Sequence, residues 1–481
     1  MSTYRIKTPV KTMTTDSRKV QQGSLFLAYP GTVSDGRNYI ADAIKNGASA
    51  VLWDAEQFEW NPEWHVENIG IKQLALQSGI IASQFYKHPA GQMWMIGVTG
   101  TNGKTSITQW LSQCLNYLHR KTAVVGTLGN GLPNQLSETS NTTPDAVLLQ
   151  EMLADYVQQK VEIVAMEVSS HGLHQGRVRG INFDVAVLSN LTRDHLDYHK
   201  TFAAYAAAKR SLFEDSDLKC AVLNHDDDFG KRLAHDLKLA GKNVLTYGIE
   251  NDLERADILA TNVQFETNYF TFNAVTPFGN ATVKANLVGK FNVYNVLAVL
   301  ATLLASKISL VDAVEAIAQI ESAKGRMQML GGGELPLVVI DYAHTPDALE
   351  KVLVTLKEQA KSHVVCVFGC GGNRDAGKRA QMGKVASDHA YAVVVTSDNP
   401  RDEAPNAIIE DILKGVHDNF AVEPDRAKAI SIGILSAKSG DIVLIAGKGH
   451  EEYQEVKGKK HYFSDIEQAK DVLKIYAEAI A

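Results

Sequence analysis

Short apolar runs recur along the chain from about Met93 onward and alternate with stretches that have helical periodicity. Such alternation predicts a parallel sheet with helices on both faces. We place a first series of strands at Trp94–Thr99, Ala123–Gly126, Glu162–Glu167, Asp184–Leu188 and Cys220–Leu223. A second series is predicted at Pro336–Ile340, His363–Phe368, Ala392–Thr396 and Asp441–Ala446. The pattern therefore predicts an α/β protein with two doubly wound domains.

The segments between and before these series are less regular. Partial alternation over 261–289 predicts an antiparallel hairpin, and a helix is expected to begin near Asn292. The glycine-rich stretch Glu321–Glu334 resembles a linker, which puts a boundary near Lys324. The first part of the chain contains a predicted helix, Tyr39–Asn46, and suggests a smaller α/β domain. We predict three domains, at 1–88, 89–323 and 324–481.

Composition narrows the function. The chain has 481 residues, a net charge of -7 and four cysteines without zinc-site spacing or a disulfide framework. An acidic chain does not attract nucleic acid, and no apolar run is long enough for a signal peptide or a membrane span. We expect a monomeric cytoplasmic protein that acts on small molecules.

A glycine-rich turn follows the first predicted strand and opens a helix. It consists of Gly100, Thr101, Asn102, Gly103, Lys104, Thr105 and Ser106. Backbone N–H groups and the helix N-terminus can bind the phosphates of ATP there, while Lys104 reaches the outer phosphates and Thr105 holds Mg²⁺. The strict phosphate-loop pattern expects glycine where Val98 stands. The strand, loop and helix context still favours a nucleotide site over an ordinary turn.

Polar residues also follow two later strands of the same series. Glu167 ends one strand and is followed by Ser169–Gly172, Gln175 and Arg177. The loop 190–199, with His195, follows another. Because the carboxyl ends of parallel strands share one edge, Glu167 and His195 could bind Mg²⁺ near the phosphates.

These motifs, in their order, resemble the Mur ligases, ATP-dependent enzymes that build the peptide of the peptidoglycan precursor. The matching segments run from about Thr15 to Glu451 and include 99–106, 141–144, 166–172, 190–199, 289–295, 325–326 and 341–346. The resemblance implies a UDP-binding N-terminal domain, a central phosphate-loop ATPase and a C-terminal Rossmann-like domain. Within the family, the chain is similar to members that add the third residue to UDP-N-acetylmuramoyl-L-alanyl-D-glutamate.

The resemblance changes the interpretation of Lys209. Its residue type and its place in the alanine-rich helix predicted over Phe202–Phe213 favour an ordinary solvated lysine. The resemblance instead implies N6-carboxylysine, a lysine carbamylated by CO₂, which would help to place Mg²⁺. Catalytic roles are then expected for Lys104, Glu167, His195 and Lys209.

Two further sets of ligand residues are implied by the same resemblance. For ATP, besides the loop 100–106, they are Asn292, Asn295, Arg326 and Asp341. For the UDP-muramoyl-dipeptide they are Thr15, Ser17, Thr32, Val33, Ser34, Asn141, Thr142, Thr143, Ser169, Gln175 and Arg177.

The incoming amino acid is expected to bind the last predicted domain. The loop Asp398, Asn399, Pro400 and Arg401 resembles the family signature for meso-2,6-diaminopimelate. That substrate differs from lysine by one distal carboxylate, which the Arg401 guanidinium could bind in a bidentate manner. Arg374, Gly447 and Glu451 match the other positions that hold it, with Glu451 suited to an ammonium group.

The expected reaction activates the D-glutamate carboxylate with ATP as an acyl phosphate, which the diaminopimelate amine then attacks. Three alternatives stay open from the sequence: a folate polyglutamate synthetase, a lysine-adding ligase and a nucleotide switch without catalysis. The last leaves the loops 169–177 and 398–401 without a role.

Overall fold

The computed structural model describes residues 6–31, 34–133, 135–139, 141–214, 217–249, 256–266 and 268–480. Two of the predicted UDP-substrate residues, Thr32 and Val33, lie outside the described residues. The chain forms two compact units, one of 1–246 with 305–307 and one of 247–304 with 308–481.

The first unit begins with a four-stranded parallel sheet of order β1-β2-β3-β4. Its elements are β1 (Thr12–Thr14), β2 (Ser24–Ala28), α1 (Ile40–Lys45), β3 (Ala48–Asp54), β4 (Glu67–Ile71) and α2 (Leu74–Phe85). Side chains of β2 alternate between two apolar clusters, with Leu25 and Leu27 in one and Phe26 and Ala28 in the other. This period of two explains why every residue of β2 is buried.

The larger sheet of the first unit carries the phosphate loop. Its elements are β5 (Trp94–Thr99), α3 (Lys104–Tyr117), β6 (Thr122–Gly126), β7 (Gly129–Leu132), β8 (Gln135–Ser137), α4 (Ala146–Gln158), β9 (Ile163–Glu167), α5 (Ser170–His174), β10 (Val185–Leu188), α6 (Leu196–His199), α7 (Phe202–Arg210), β11 (Cys220–Asn224), α8 (Asp228–Leu239) and the start of β12 (Val244–Ile249). The strand order runs β11-β10-β5-β9-β6-β7-β8, parallel through β6 and antiparallel beyond. Strands β6 and β9 lie on one side of β5, and β10 and β11 on the other. Strand β5 is therefore a topological switch point, where open α/β sheets bind ligands.

The second unit begins with the end of β12, which pairs in parallel with the first strand of a three-stranded meander. The elements are β13 (Ile258–Phe265), β14 (Phe270–Thr276), β15 (Gly279–Ala285), α9 (Lys290–Ala305) and α10 (Leu310–Ile317). The predicted hairpin over 261–289 thus contains one strand more than expected. The helix expected near Asn292 begins at Lys290.

A six-stranded sheet of order β16-β17-β21-β18-β19-β20 forms the rest of the second unit. Its elements are β16 (Gln328–Gly331), β17 (Leu337–Asp341), α11 (Pro346–Gln359), β18 (Val364–Phe368), α12 (Gly377–His389), β19 (Ala392–Val395), α13 (Pro405–Leu413), β20 (Phe420–Val422), α14 (Arg426–Ser436), β21 (Ile442–Ala446), the hairpin strands β22 (Tyr453–Val456) and β23 (Lys459–Tyr462), and α15 (Asp465–Ile480). Within this sheet β16 pairs with β17 in antiparallel fashion and the other neighbouring strands pair in parallel, while β22 and β23 form a separate antiparallel hairpin. Apolar clusters cover both faces of this sheet.

The predicted α/β class and both strand series are confirmed, with ends that differ by one residue at most. The stretch Glu321–Glu334 is not purely a linker, since it contains edge strand β16. The helix predicted at Tyr39–Asn46 is shorter, because a 3₁₀ turn occupies Gly36–Tyr39. All four cysteines are buried and reduced. Within the described residues, no helix combines the length and apolarity that a membrane crossing requires.

Candidate active site

The phosphate loop connects β5 to α3 in the first unit. Its backbone needs glycine at two places, since Gly100 has φ +147° and Gly103 has φ +86°. A Cβ atom at Gly100 would lie 1.9 Å from Ser189 Oγ. The ammonium group of Lys104 folds over the loop and donates to the carbonyl oxygens of Gly100 and Thr101, both at 2.9 Å.

The loop after β10 fixes the phosphate loop from one side. The backbone N–H of Thr101 donates to Asn190 O at 2.9 Å, and that of Asn102 to Asn190 Oδ1 at 3.0 Å. The Thr101 hydroxyl lies 3.0 Å from the Tyr205 hydroxyl on α7. Residues 100–105 are thus held by two neighbouring segments, as their predicted role requires.

Glu167 lies at the end of β9, directly beside the phosphate loop. Its carboxylate is 1% exposed and accepts from the Thr105 hydroxyl at 2.9 Å. The other oxygen accepts from the Thr127 N–H at 2.7 Å. The ring of His195 lies 4.9 Å from that of His171, in the same region. A hydroxyl and a carboxylate are the oxygen donors that Mg²⁺ favours, so the donor set fits the predicted ion.

Lys209 is buried rather than solvated, which corrects the interpretation from residue type. Its side chain is 1% exposed, and its amine donates to Gly100 O at 2.8 Å and lies 4.8 Å from the Tyr205 ring centre. Burial, reinforced by the charge of Lys104, lowers the pKa of Lys209 well below its ordinary value. The neutral, nucleophilic form of this amine is therefore easier to reach than that of an exposed lysine.

A cavity of about 390 Å³ unites these groups with the predicted muramoyl-peptide residues. The lining residues are Lys104, Asn141, Thr142, Thr143, Ser169, Ser170, His171, Gln175, Arg177, His195, Tyr198 and Lys209. The buried Ser170 Oγ has no hydrogen-bond partner among the described residues. An unsatisfied buried hydroxyl suits a cavity that receives a polar ligand.

A chain of hydrogen bonds orders the substrate side of this cavity. Gln175 Nε2 donates to the Tyr198 hydroxyl at 3.0 Å, and Gln175 Oε1 accepts from Arg177 Nε at 2.9 Å. Arg177 Nη1 donates to Thr143 O at 2.7 Å, while the Thr143 hydroxyl donates to Ser169 Oγ at 3.1 Å. The predicted residues from three separate motifs therefore form one network.

Three predicted UDP-binding residues, Thr15, Ser17 and Ser34, lie in segments that follow strands of the small N-terminal sheet. Thr15 and Ser17 follow β1, and Ser34 lies in the loop that follows β2. Since β1 and β2 are parallel neighbours, both loops lie at the same sheet edge. This placement is compatible with one binding site, but their role stays a prediction.

The predicted ATP residues of the second unit are buried or nearly so. Asn295 Nδ2 donates to Asn292 Oδ1 at 3.0 Å. The Arg326 guanidinium lies 5.0 Å from the Tyr342 ring centre, and its buried Nε has no partner among the described residues. Both oxygens of Asp341 accept backbone N–H groups, one from Met327. Asp341 thus fixes the segment that carries Arg326, although burial raises the pKa of its carboxyl group.

The predicted amino-acid residues Asp398, Asn399 and Glu451 adjoin one another in the second unit. Asn399 Nδ2 donates to Glu451 Oε2 at 2.8 Å. The fully buried Lys448 donates to Asn399 Oδ1 at 2.9 Å and lies 3.3 Å from Glu451 Oε2. A Cβ atom at Gly447 would lie 2.7 Å from Asp398 Oδ2. Any larger residue there would therefore displace the Asp398 carboxylate.

Arg374 and Arg401 lie on two loops that are bonded to each other. Gly372 N donates to Asn399 O at 2.9 Å, and Arg401 Nη1 donates to Gly372 O at 2.9 Å. The ideal Cβ position of Gly371 is 3.0 Å from Arg401 Nη1 and 3.8 Å from Arg374 Cγ. The predicted residues Arg374, Asp398, Asn399, Arg401, Gly447 and Glu451 therefore gather in one region, with Pro400 inside the loop.

Comparison with known proteins decides the family. The chain matches the Mur ligase family, catalytic domain over residues 9–86, the Mur ligase middle domain over 98–303 and the Mur ligase, glutamate ligase domain over 325–449. It is 48% identical over 469 residues to UDP-N-acetylmuramoyl-L-alanyl-D-glutamate--2,6-diaminopimelate ligase of Chromobacterium violaceum, which covers 97% of this chain and 94% of the relative. The chain belongs to the Mur ligase family. It is an ATP-dependent ligase, as its motifs predicted.

Solved structures agree with this assignment. A structure named UDP-N-acetylmuramoyl-L-alanyl-D-glutamate--2,6-diaminopimelate ligase matches with a TM-score of 0.76 and 36% identity, covering 99% of this Mur ligase and 98% of that chain. The folylpolyglutamate synthase of Mycobacterium tuberculosis matches with a TM-score of 0.61 at 18% identity, over 78% of this chain and 92% of its own. The second likeness shows a shared fold alone. The limits of the three predicted domains stay predictions.

Several residues of the Mur ligase site escaped the sequence interpretation. His171 and Tyr198 line the cavity, and Tyr205 touches both Thr101 and Lys209. Burial, together with the nearby His195 and His199, lowers the pKa of His171 to about 4. The high density of histidine and tyrosine residues within 171–205 was a sequence signal that could have pointed to these residues.

A second cavity of about 500 Å³ lies at the opposite edge of the same sheet, where its strands begin. Its charged side chains bond to neighbouring groups of the protein. Lys219 bonds Asp184 at 2.6 Å and lies 4.4 Å from the Trp94 ring centre, while Glu162 bonds Arg120 at 2.7 Å. We assign this cavity no ligand.

Proposed function

We propose that this Mur ligase joins meso-2,6-diaminopimelate to UDP-N-acetylmuramoyl-L-alanyl-D-glutamate with ATP, in peptidoglycan precursor synthesis. The observation that carries the proposal is the single cavity that Lys104 and Lys209 share with Thr143, Ser169 and Arg177. Two lysines suited to the phosphates of ATP therefore line the same cavity as a hydrogen-bond network suited to a carboxylate and a peptide. The printed names of the relative and of the solved structure support this pair of substrates.

The first step activates a carboxylate. An oxygen of the terminal D-glutamate carboxylate attacks the γ-phosphorus of ATP, the bond to the bridging oxygen breaks, and ADP leaves. Lys104 and the N–H groups of the phosphate loop stabilise the charge that develops on the phosphate oxygens. Arg177, oriented by Gln175 and Thr143, can hold the substrate in line for this attack.

The second step forms the amide. The neutral amine of diaminopimelate attacks the acyl carbon, the bond to the phosphate oxygen breaks, and inorganic phosphate and one proton leave. Because its pKa is about 4, His171 is neutral near pH 7 and adds no positive charge to the cavity.

Mg²⁺ would be held by Thr105, Glu167 and His195, with carbamylated Lys209 as a further anionic group. The ion would neutralise phosphate charge when bound. Support for the carbamate comes from Lys209 itself, because its burial lowers the pKa of the amine and so favours the neutral form that can attack CO₂. The resulting anion would lie near the cation of Lys104. Detection of a ¹³C-carbamate signal with labelled bicarbonate, lost in Lys209→Met, tests this assignment.

The amino acid would bind the second unit. Arg401 and Arg374 offer guanidinium groups to the distal carboxylate, and Glu451 offers a carboxylate to an ammonium group. Since lysine lacks that distal carboxylate, this arrangement favours diaminopimelate over lysine. Asn292, Asn295, Arg326 and Asp341 are proposed to hold the nucleotide.

We also propose that the enzyme is a cytoplasmic monomer. The acidic composition and the buried reduced cysteines support this setting. Light scattering coupled to size exclusion should give the mass of one chain, about 52.5 kDa. A larger mass at micromolar concentration would contradict the monomer.

The decisive experiment measures phosphate release with ATP and the UDP-muramoyl-dipeptide in the presence of diaminopimelate, lysine, glutamate or no amino acid. We expect release that depends on diaminopimelate, with the tripeptide as product. Preference for lysine would favour the lysine-adding ligase. In a parallel assay with a folate in place of the dipeptide, phosphate release that depends on glutamate would favour the polyglutamate synthetase. Release indifferent to the amino acid would refute both the substrate assignment and the role of Arg401.

A further inference from the structure

Strand β22 runs directly beside the loop 398–401. The Arg401 N–H donates to Glu455 O at 3.0 Å, and the Lys457 N–H donates to Arg401 O at 2.8 Å. This pair of bonds forms an isolated parallel bridge between Arg401 and Val456. Further bonds join Glu455 N to Asn399 Oδ1 at 2.9 Å and Gln454 Nε2 to Asp398 O at 3.0 Å. The hairpin strand therefore holds the backbone of the loop 398–401 in place through these hydrogen bonds.

The side chain of Glu455 reaches the guanidinium of Arg401. Arg401 Nε donates to Glu455 Oε2 at 3.0 Å, while Nη1 donates to Gly372 O at 2.9 Å. These bonds restrain two sides of a planar group. These two bonds leave the second N–H group of Nη1 and both N–H groups of Nη2, and these can donate to a carboxylate.

The backbone of Arg401 adds to this restraint. Its φ is +49°, in the left-handed region that non-glycine residues seldom adopt. Such a conformation persists where neighbouring contacts determine it, and the bonds to Glu455 and Lys457 supply those contacts. The side chain of Arg401 is 20% exposed, so its free edge can meet a ligand.

We propose that Glu455 is a positioning residue that aims Arg401 and thereby sets the preference for an amino acid with a distal carboxylate. This inference rests on the function proposed above. Glu455 contacts Nε rather than the Nη edge, so a substrate carboxylate need not displace it. Its effect acts through geometry, with the Arg401 guanidinium between the two carboxylates.

Three substitutions separate geometry from charge. Glu455→Ala removes the contact, Glu455→Asp keeps the charge but shortens the reach, and Glu455→Gln keeps both reach and a hydrogen-bond acceptor. We expect Ala and Asp to raise the KM for diaminopimelate about tenfold, with kcat and the KM for ATP within about twofold of wild type. Gln should restore most of the affinity. Should the Ala variant fail to fold, the Asp and Gln pair carries the test.

Glu467→Ala is the matched control, because Glu467 accepts from the Tyr462 hydroxyl at 2.8 Å and ties the same hairpin without touching Arg401. It should leave the KM for diaminopimelate unchanged. An equal rise in this control, an unchanged KM in both Ala and Asp variants, or a lower KM in Ala would overturn the inference. Failure of the wild type to use diaminopimelate would instead reject the proposed function, so the two failures are distinguishable.

Discussion

The cavity beside the phosphate loop and the loop 398–401 are both proposed to bind charged ligands, but different kinds of contact shape the two regions. Beside the cavity, backbone geometry dominates, with glycines of positive φ at 100 and 103 and carbonyl oxygens around Lys104. At 398–401, side chains from remote segments dominate, including Lys448 and Glu455. The residues that would contact the phosphates are therefore consecutive in sequence, although remote residues such as Asn190 and Lys209 hold their loop in place. The residues expected to recognise the amino acid come from separate segments instead, such as Arg401 and Glu455, which are 54 residues apart.

This difference implies that substitutions in the two regions should affect different kinetic constants. A change in the phosphate loop should impair every amino acid substrate alike, because activation by ATP precedes the choice of amino acid. A change at 398–401 should alter that choice and leave ATP use intact.

The largest effect is expected from Lys104→Met. Loss of the ammonium group removes charge stabilisation where the phosphoryl group is transferred, so kcat/KM should fall about 10³-fold. The measurement is phosphate release with each amino acid, and the loss should be the same for all. Lys72→Met, at an exposed position, is the control. An activity within tenfold of wild type would remove Lys104 from the mechanism.

Arg401→Ala should raise the KM for diaminopimelate about 30- to 100-fold, because a charged partner of the distal carboxylate is lost. The KM for ATP should stay within about twofold, since the side chain of Arg401 bonds to Glu455 and Gly372 and to none of the residues proposed to hold the nucleotide. Activity with lysine should change little. Lys457→Ala, a neighbouring charge, serves as the control. A parallel loss with lysine would show that Arg401 has a structural role.

Gly100→Ala tests the backbone side of the comparison. With φ at +147° and Ser189 Oγ 1.9 Å from the new Cβ atom, the loop must move. We expect the free energy of unfolding to fall by about 1–3 kcal/mol and the KM for ATP to rise. Gly91→Ala is the matched control, because nothing lies within 4 Å of its Cβ position. Equal denaturation curves for the two variants would contradict the strain argument.

The smallest effect concerns pH and His450. Burial, with Arg326 and Lys324 nearby, lowers the pKa of His450 to about 4 from an ordinary 6.5. The unfolded chain therefore binds a proton at this histidine more readily than the folded chain does. The contribution of neutral His450 to the free energy of unfolding is complete above pH 6.5 and is lost as the pH falls toward 4. We expect the Tm of the wild type to drop more steeply than that of His450→Asn between pH 7 and 5. If the Tm of both proteins fell equally with pH, the pKa of His450 would be close to its ordinary value.

Much of the fold was predictable because it rests on buried apolar runs. Strands such as β5 and β21 consist almost entirely of buried residues without a charged side chain and were predicted within one residue. Strands β22 and β23 were missed, since they are mostly polar, with β22 half-buried and β23 exposed, and give no hydrophobic signal. The same limit applies to Lys209, whose burial depends on packing against the phosphate loop. The phosphate loop was predictable because its chemistry resides in consecutive residues.

The restrained guanidinium of Arg401 has a consequence for the thermodynamics of recognition. A long side chain that is immobilised by a ligand costs about 0.5–1.5 kcal/mol of conformational entropy at the moment of binding. Here Glu455 and Gly372 fix that side chain when the unit folds. The entropy loss therefore accompanies folding rather than association. In the Glu455→Ala variant it should accompany association, and a calorimetric titration would measure a less favourable binding entropy.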